Sequence, residues 1–173
     1  MKNFKDKLKN VKAFAFDVDG VFTNGLIFTD GNGIQMRGSN AKDGYAVHYA
    51  KKIGYPIAII TGGRCKSIIK RYGDLGVEDI FIEASNKVEY LDIFLKKYDL
   101  KAKDVMYMGD DLPDYHIMKK CGVKVCPADA SVEIQEIADY ISIKKGGEGC
   151  VRDVIEQTLR AQDKWLTKDA FVW

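Results

Sequence analysis

Short apolar runs of strand character alternate along this chain with longer stretches whose apolar residues recur at i, i+3 and i+4. Parallel strands need long crossovers, usually helical, so this alternation predicts a parallel sheet covered by helices. The strand candidates are Val11–Phe16, Ile57–Ile60, Ile80–Ile82, Val105–Met108, Val123–Cys126 and Tyr140–Ile143. Between them, Ala41–Ile53, Cys65–Leu75, Lys87–Tyr98, Pro113–Lys119, Val132–Ala138 and Val151–Gln162 carry the helical period. The expected fold is α/β, a doubly wound, Rossmann-like parallel sheet. One interruption follows the first strand. Leu26–Phe28 and Ile34–Met36 flank Asp30-Gly31-Asn32-Gly33, whose residues tolerate positive φ, and this reads as a small β-hairpin used as a flap or an oligomer contact.

With no linker, repeat or low-complexity tract, the 173 residues are expected to form one domain, residues 1–173. A chain that is 46% hydrophobic and 30% charged has the composition of a globular protein. Its 27 basic and 25 acidic residues leave a charge of +2, too near neutral to attract nucleic acid or an anionic membrane in bulk. The charged start, MKNFKDKLKNVK, lacks the apolar core of a secretory signal, and no segment reaches the ~20 apolar residues of a membrane span. Cys65, Cys121, Cys126 and Cys150 form no CxxC pair, so they read as reduced, space-filling thiols of a cytoplasmic protein. The aromatic tail Trp165–Trp173 is expected to be exposed and to pack on a neighbouring subunit.

Ligands of open parallel sheets bind beyond the carboxyl ends of the strands, and there the polar residues gather. Asp17 and Asp19 follow the first strand, Thr61-Gly62-Gly63-Arg64 the second, and Gly109-Asp110-Asp111, then Asp114, the fourth; Lys87 opens the helix after the third. Crowded carboxylates repel one another without a cation, and an oxygen-only set suits Mg²⁺ together with a substrate phosphate. A hydroxyl, backbone N–H groups and an ammonium from Thr61, Gly62 and Lys87 then neutralise the phosphate. If the chain turns at Gly20, both Asp17 and Asp19 face one crevice, one as nucleophile and the other as proton carrier.

The order Asp17-Val18-Asp19-Gly20-Val21, Thr61, Lys87 and Gly109-Asp110-Asp111-Leu112-Pro113-Asp114 resembles the four motifs of haloacid dehalogenase-type phosphatases. The hairpin, Asn40-Ala41-Lys42-Asp43-Gly44-Tyr45 and Gly146-Gly147-Glu148-Gly149-Cys150-Val151-Arg152 narrow the likeness to the capless branch acting on sugar-acid phosphates, typified by 3-deoxy-D-manno-octulosonate 8-phosphate (KDO 8-phosphate) phosphatases of lipopolysaccharide biosynthesis. The resemblance implies a HAD-like fold with no cap domain and hydrolysis through a phosphoaspartyl intermediate. It also implies a homotetramer whose hairpins meet at its centre and whose sites are closed by a neighbouring subunit. By position, Asp17 is similar to the nucleophile and Asp19 to the acid/base. Asp17, Asp110 and the Asp19 carbonyl match the Mg²⁺ ligands, and Asp111 and Asp114 the groups that orient them. Substrate contacts are implied for Asp19, Asn40, Lys42, Asp43, Gly44, His48, Gly62, Arg64, Arg71 and Lys87. The family's TGR is Thr61-Gly62-Gly63-Arg64 here, which displaces Arg64 by one residue.

Two alternatives are separable. A receiver-like signalling module also accepts phosphate on an aspartate, but it needs its acceptor on the middle strand, whereas here DxDG comes first and GDDxxD late. Within the enzyme class, Glu148 stands where an arginine is common, which resembles phosphatases of nonulosonate or sialic acid 9-phosphates.

Overall fold

In the computed structural model, which describes residues 3–172, the chain opens with α1 (Phe4–Leu8) and β1 (Ala13–Phe16). Next come the hairpin strands β2 (Phe28–Thr29) and β3 (Gln35–Met36) and helix α2 (Ala41–Lys52). Alternation then holds to the end: β4 (Ile57–Ile60), α3 (Lys66–Gly73), β5 (Asp79–Phe81), α4 (Lys87–Lys97), β6 (Val105–Met108), α5 (Tyr115–Lys120), β7 (Val123–Cys126), α6 (Val132–Ile137), β8 (Tyr140–Ile141) and α7 (Cys150–Ala161). The six-stranded sheet has the order β5-β4-β1-β6-β7-β8, and every pairing is parallel.

Strand side chains alternate between faces, and each face has its own core. Phe14, Phe16, Ile57, Ile59, Met106 and Met108 pack with α2, α3 and α7, while Ala13, Ala15, Ala58, Ile60, Val105 and Tyr107 pack with α4, α5 and α6. Both faces are covered, so β1, β4 and β6 read as continuous apolar runs. Phe14 and Phe16 are fully buried, each contributing roughly 1.5–3 kcal/mol of transfer free energy.

The expected elements are present with shorter ends, and three differences have physical causes. The charged N-terminal segment forms α1, because Phe4 and Leu8 share a face that packs on the core. The segment Pro113–Lys119 begins as a 3₁₀ turn over Leu112–Asp114, with Pro113 in its first positions, before α5 starts at Tyr115. The tail is exposed only in part. Trp165 is only 6% exposed, its ring set edge-on to Tyr49 with centroids 5.5 Å apart, and the Tyr49 hydroxyl donates to the Lys164 carbonyl at 2.7 Å. Trp165 therefore packs on the chain's own α2 and α7, while Leu166, Phe171 and Val172 are exposed as expected; Trp173 lies outside the described residues. The hairpin turn is held by Asp30, whose Oδ1 accepts from the Asn32 and Ile34 backbone N–H groups at 2.9 and 2.8 Å. No helix among the described residues is long and apolar enough to cross a membrane.

Candidate active site

From β1 the chain moves outward to β4 and β5, then returns past β1 to β6, β7 and β8, so the strand order reverses between β1 and β6. That switch point is where an α/β sheet opens a crevice at its carboxyl edge. Phe16 pairs with Met108, and the Asp17 N–H donates to the Met108 carbonyl at 3.0 Å, which sets Asp17 beside Gly109 and Asp110. Gly20 completes the approach: its φ is +83°, and a Cβ there would stand 2.0 Å from Asp110 Oδ2. Asp17, Asp110 and Asp114 each offer a carboxylate oxygen within 4.8 Å of the others.

Lys87 joins this cluster, its Nζ 3.0 Å from Asp17 Oδ1 and 2.7 Å from Asp114 Oδ1. A lysine in the first turn of a helix opposes the helix dipole, so helix stability does not explain its place. Burial disfavours its charge, but the Asp17 and Asp114 carboxylates outweigh that and hold the ammonium above its usual range. Asp114 has both oxygens committed: Oδ1 accepts from Lys87 and from the Tyr107 hydroxyl at 2.7 Å, and Oδ2 from the Asp110 N–H at 3.1 Å. It thus orients Lys87 and the Asp110 backbone. Asp17 is pushed up to about 7, first by burial and then by Asp114, and Asp110 up to about 8, by burial and then by Asp17.

Beside this cluster lies a cavity of about 840 Å³ lined by Asp17, Asp19, Arg37, Thr61, Arg64 and Lys87, with Gly62 also in its wall. Thr61 is buried at the end of β4, and its Oγ1 accepts from the Gly63 N–H at 3.1 Å, leaving the hydroxyl proton for another acceptor. The Asp19 carboxylate is held by Arg37, whose Nε and Nη2 donate to its two oxygens at 2.6 and 3.1 Å. Arg37 and the hairpin wall, including Ile27, Ile34 and Gln35, are not legible as site residues in the sequence. The one signal is position: Arg37 is the first residue after the hairpin. Cys65 also sits on the rim, partly exposed, whereas Cys121, Cys126 and Cys150 are buried; all four are free thiols.

The segment from Asn40 to His48 does not line this cavity within the chain. Asn40 caps α2, accepting from the Lys42 N–H at 2.9 Å, and its Nδ2 donates to the Gly147 carbonyl at 3.2 Å. Asp43, expected to touch substrate, is fully buried and its Oδ1 accepts from the Arg152 N–H at 2.6 Å, so it anchors the start of α7 to α2. Burial pushes this carboxyl up to about 6 against the opposing pull of those N–H groups. Lys42 is exposed beside Glu148 and Arg152 in a separate pocket, and His48 is half-buried on α2. Gly44 leaves room for Arg71: a Cβ there would lie 2.5 Å from Arg71 Nη2. Arg71 borders a smaller pocket of about 150 Å³ that it shares with Arg37. Asp111 is exposed and caps the 3₁₀ turn through the Leu112 N–H at 2.8 Å.

The cluster fits a hard divalent cation. Its donors are all oxygens, two of its three carboxyl groups are driven toward protonation by burial and by each other, and a cation of charge two removes that repulsion. Asp17 and Asp110 are the groups with oxygens to offer, because those of Asp114 are already hydrogen-bonded.

Residues 76–155 match the family model of the haloacid dehalogenase-like hydrolases. Over 158 residues the chain is 37% identical to the 3-deoxy-D-manno-octulosonate 8-phosphate phosphatase KdsC of Escherichia coli K12, an alignment spanning 91% of this chain and 84% of that protein. The chain belongs to the KdsC family of haloacid dehalogenase-like hydrolases. Two solved KdsC-type phosphatases superpose closely. That of Yersinia pestis does so with a TM-score of 0.91 and 34% identity, covering 93% of this chain and 87% of that one. That of Moraxella catarrhalis was solved with a magnesium ion, a phosphate ion and KDO, and matches with a TM-score of 0.89 and 32% identity over 92% of each chain. The KdsC-family fold is thus common to all three, the doubly wound parallel sheet included.

Proposed function

We propose that this chain is a magnesium-dependent phosphomonoesterase that hydrolyses KDO 8-phosphate to KDO and phosphate. The observation that carries the reading is the convergence of Asp17, Asp110, Lys87 and Thr61 at one switch point beside a cavity, in a family whose Moraxella catarrhalis member was solved with magnesium, phosphate and KDO. Asp17 attacks phosphorus through a carboxylate oxygen to form an acyl phosphate, and the bond to the sugar oxygen breaks. Asp19 gives that oxygen a proton and later takes one from the water that releases phosphate. The Thr61 hydroxyl and the Gly62 N–H hold the non-bridging oxygens, and the Lys87 ammonium offsets their charge. Magnesium held by Asp17 and Asp110 supplies further charge neutralisation for the phosphoryl group.

The same reading takes residues 1–173 as one catalytic domain of a cytoplasmic protein, which its four free thiols support. It takes the assembly as a homotetramer joined through the hairpins. Leu26, Phe28, Ile34 and Met36 are 57–61% exposed there, an apolar cluster that water disfavours. A neighbour then covers the open sugar end, bringing Arg64 and Arg71 and the loop around Asn40 toward the sugar acid. The nonulosonate alternative that Glu148 suggested is not favoured, because the relatives the chain matches are KDO 8-phosphate phosphatases. Phosphate release from KDO 8-phosphate, nonulosonate 9-phosphates and hexose phosphates tests the reading. It expects the highest kcat/KM for KDO 8-phosphate, and equal values across the panel would overturn the substrate assignment.

A further inference from the structure

We infer that Arg37 is a positioning residue that acts through Asp19, fixing the carboxylate that serves the leaving group; this rests on the phosphatase reading above.

Arg37 leaves the chain one residue after β3, at the foot of a hairpin whose apolar side chains stand in solvent, yet its own side chain is only 7% exposed. Its guanidinium grips Asp19 as a fork, Nε on Oδ1 at 2.6 Å and Nη2 on Oδ2 at 3.1 Å, a geometry that fixes the plane of a carboxylate as well as its position. Nη2 also donates to Gln35 Oε1 at 3.3 Å, which braces the fork from within the hairpin. Asp19 is 29% exposed, and a partly solvated aspartate without such partners is free to change rotamer. The last nitrogen, Nη1, is buried without a hydrogen-bond partner, on a residue that lines the cavity.

Fold stability does not account for this arrangement. The pair is largely buried, 7% and 29% exposed, so the Coulomb attraction it gains is offset by the desolvation of a guanidinium and a carboxylate. Proton transfer to a leaving oxygen, by contrast, depends steeply on where the donor sits. The fork takes one lone pair of each oxygen and favours the ionised form, so the proton rides on a remaining lone pair and Arg37 serves the step by placement and not by acidity. A lysine presents one ammonium and no fork, so it holds one oxygen and leaves the plane of the carboxylate unset.

The test compares wild type, Arg37→Met, Arg37→Lys, Asp19→Asn and the double variant Arg37→Met/Asp19→Asn on two esters. KDO 8-phosphate has a poor, alkoxide leaving group that needs a proton; p-nitrophenyl phosphate has a good one that needs little help. Arg37→Met is expected to lower kcat for the sugar phosphate by roughly 10–10²-fold, at least about tenfold more than for the aryl ester. Added to Asp19→Asn, it should cost less than about threefold more, because both changes remove one function. Arg37→Lys should recover part of kcat. Equal losses on both esters, full additivity in the double variant, or a loss confined to KM would each overturn the inference. Thermal unfolding of every variant separates a folding defect; if Arg37→Met does not fold, the contrast between the two esters in Arg37→Lys decides the same question. Failure of the wild type to hydrolyse either ester would overturn the phosphatase reading itself, and this inference with it.

Discussion

Magnesium affinity should fall steeply as the pH drops from 8 to 6. In the metal-free protein burial, and then neighbouring carboxylates, push Asp17 up to about 7 and Asp110 up to about 8, so the pair holds protons at pH 6 that it gives up by pH 8. A cation must displace those protons before it binds. One pH unit below a pKa costs about tenfold in apparent affinity and two units about 100-fold; because the Asp17 charge is itself part of what raises Asp110, the two losses do not multiply in full, and the loss at pH 6 is about tenfold to 100-fold, or roughly 1.4–2.8 kcal/mol. Stability is linked to the same protons with a definite sign. Unfolded aspartates titrate near 3.8, so between about pH 4 and pH 8 the folded chain holds more protons than the unfolded one, and metal-free stability falls as the pH rises through that window. Magnesium removes the repulsion, so its gain in Tm should be larger at pH 8 than at pH 6. Calorimetric titration with magnesium in two buffers of different ionisation enthalpy measures both affinity and proton release. A Kd equal at pH 6 and pH 8, with no proton released at pH 6, would refute the electrostatic account of Asp17 and Asp110.

Lys87→Met should leave Asp17 and Asp114 buried and uncompensated, destabilising the metal-free protein by roughly 3–5 kcal/mol; thermal unfolding with a chelator, then with magnesium, should show the loss and its partial recovery. Asp43→Ala should cost about 1–2 kcal/mol through the lost anchor on α7 and leave KM for a small phosphate ester within about twofold of wild type, as urea unfolding and steady-state kinetics would show. Arg71→Ala should raise KM for the sugar-acid phosphate far more than for a carboxylate-free ester, and equal changes would place Arg71 in the service of the phosphate or the fold.

The sheet was legible because β1, β4 and β6 are buried on both faces and so appear as unbroken apolar runs between helical periods. Where burial is one-sided, the sequence was less informative. Tyr140–Ile143 shortens to two residues, and Ile143 is 80% exposed. Phe4 and Leu8 supply the only apolar anchors of α1, too few to stand out against its lysines. At the site, the acidic groups after β1 and β6 were readable because residues at the carboxyl ends of neighbouring strands must meet. The fork on Asp19 was not: Arg37 is 18 positions away, and only the folding back of the hairpin joins them. Asp43 sits in a motif that looks like a substrate loop, but its partner is a helix end 109 residues away, a pairing no local pattern encodes. Trp165 looked exposed because its partners, Tyr49 and the Arg152 guanidinium 4.4 Å from its ring, come from α2 and α7.

The central claim is that Asp17 takes the phosphoryl group. Rapid quenching of the enzyme with KDO 8-phosphate and magnesium, followed by borohydride reduction and peptide mass spectrometry, tests it directly, because reduction of an aspartyl phosphate leaves homoserine at the modified position. Homoserine at residue 17, formed and lost in step with phosphate release and absent when magnesium is chelated, is the predicted result. Steady phosphate release with residue 17 unmodified, or Asp17→Asn retaining near-normal turnover, would contradict the account.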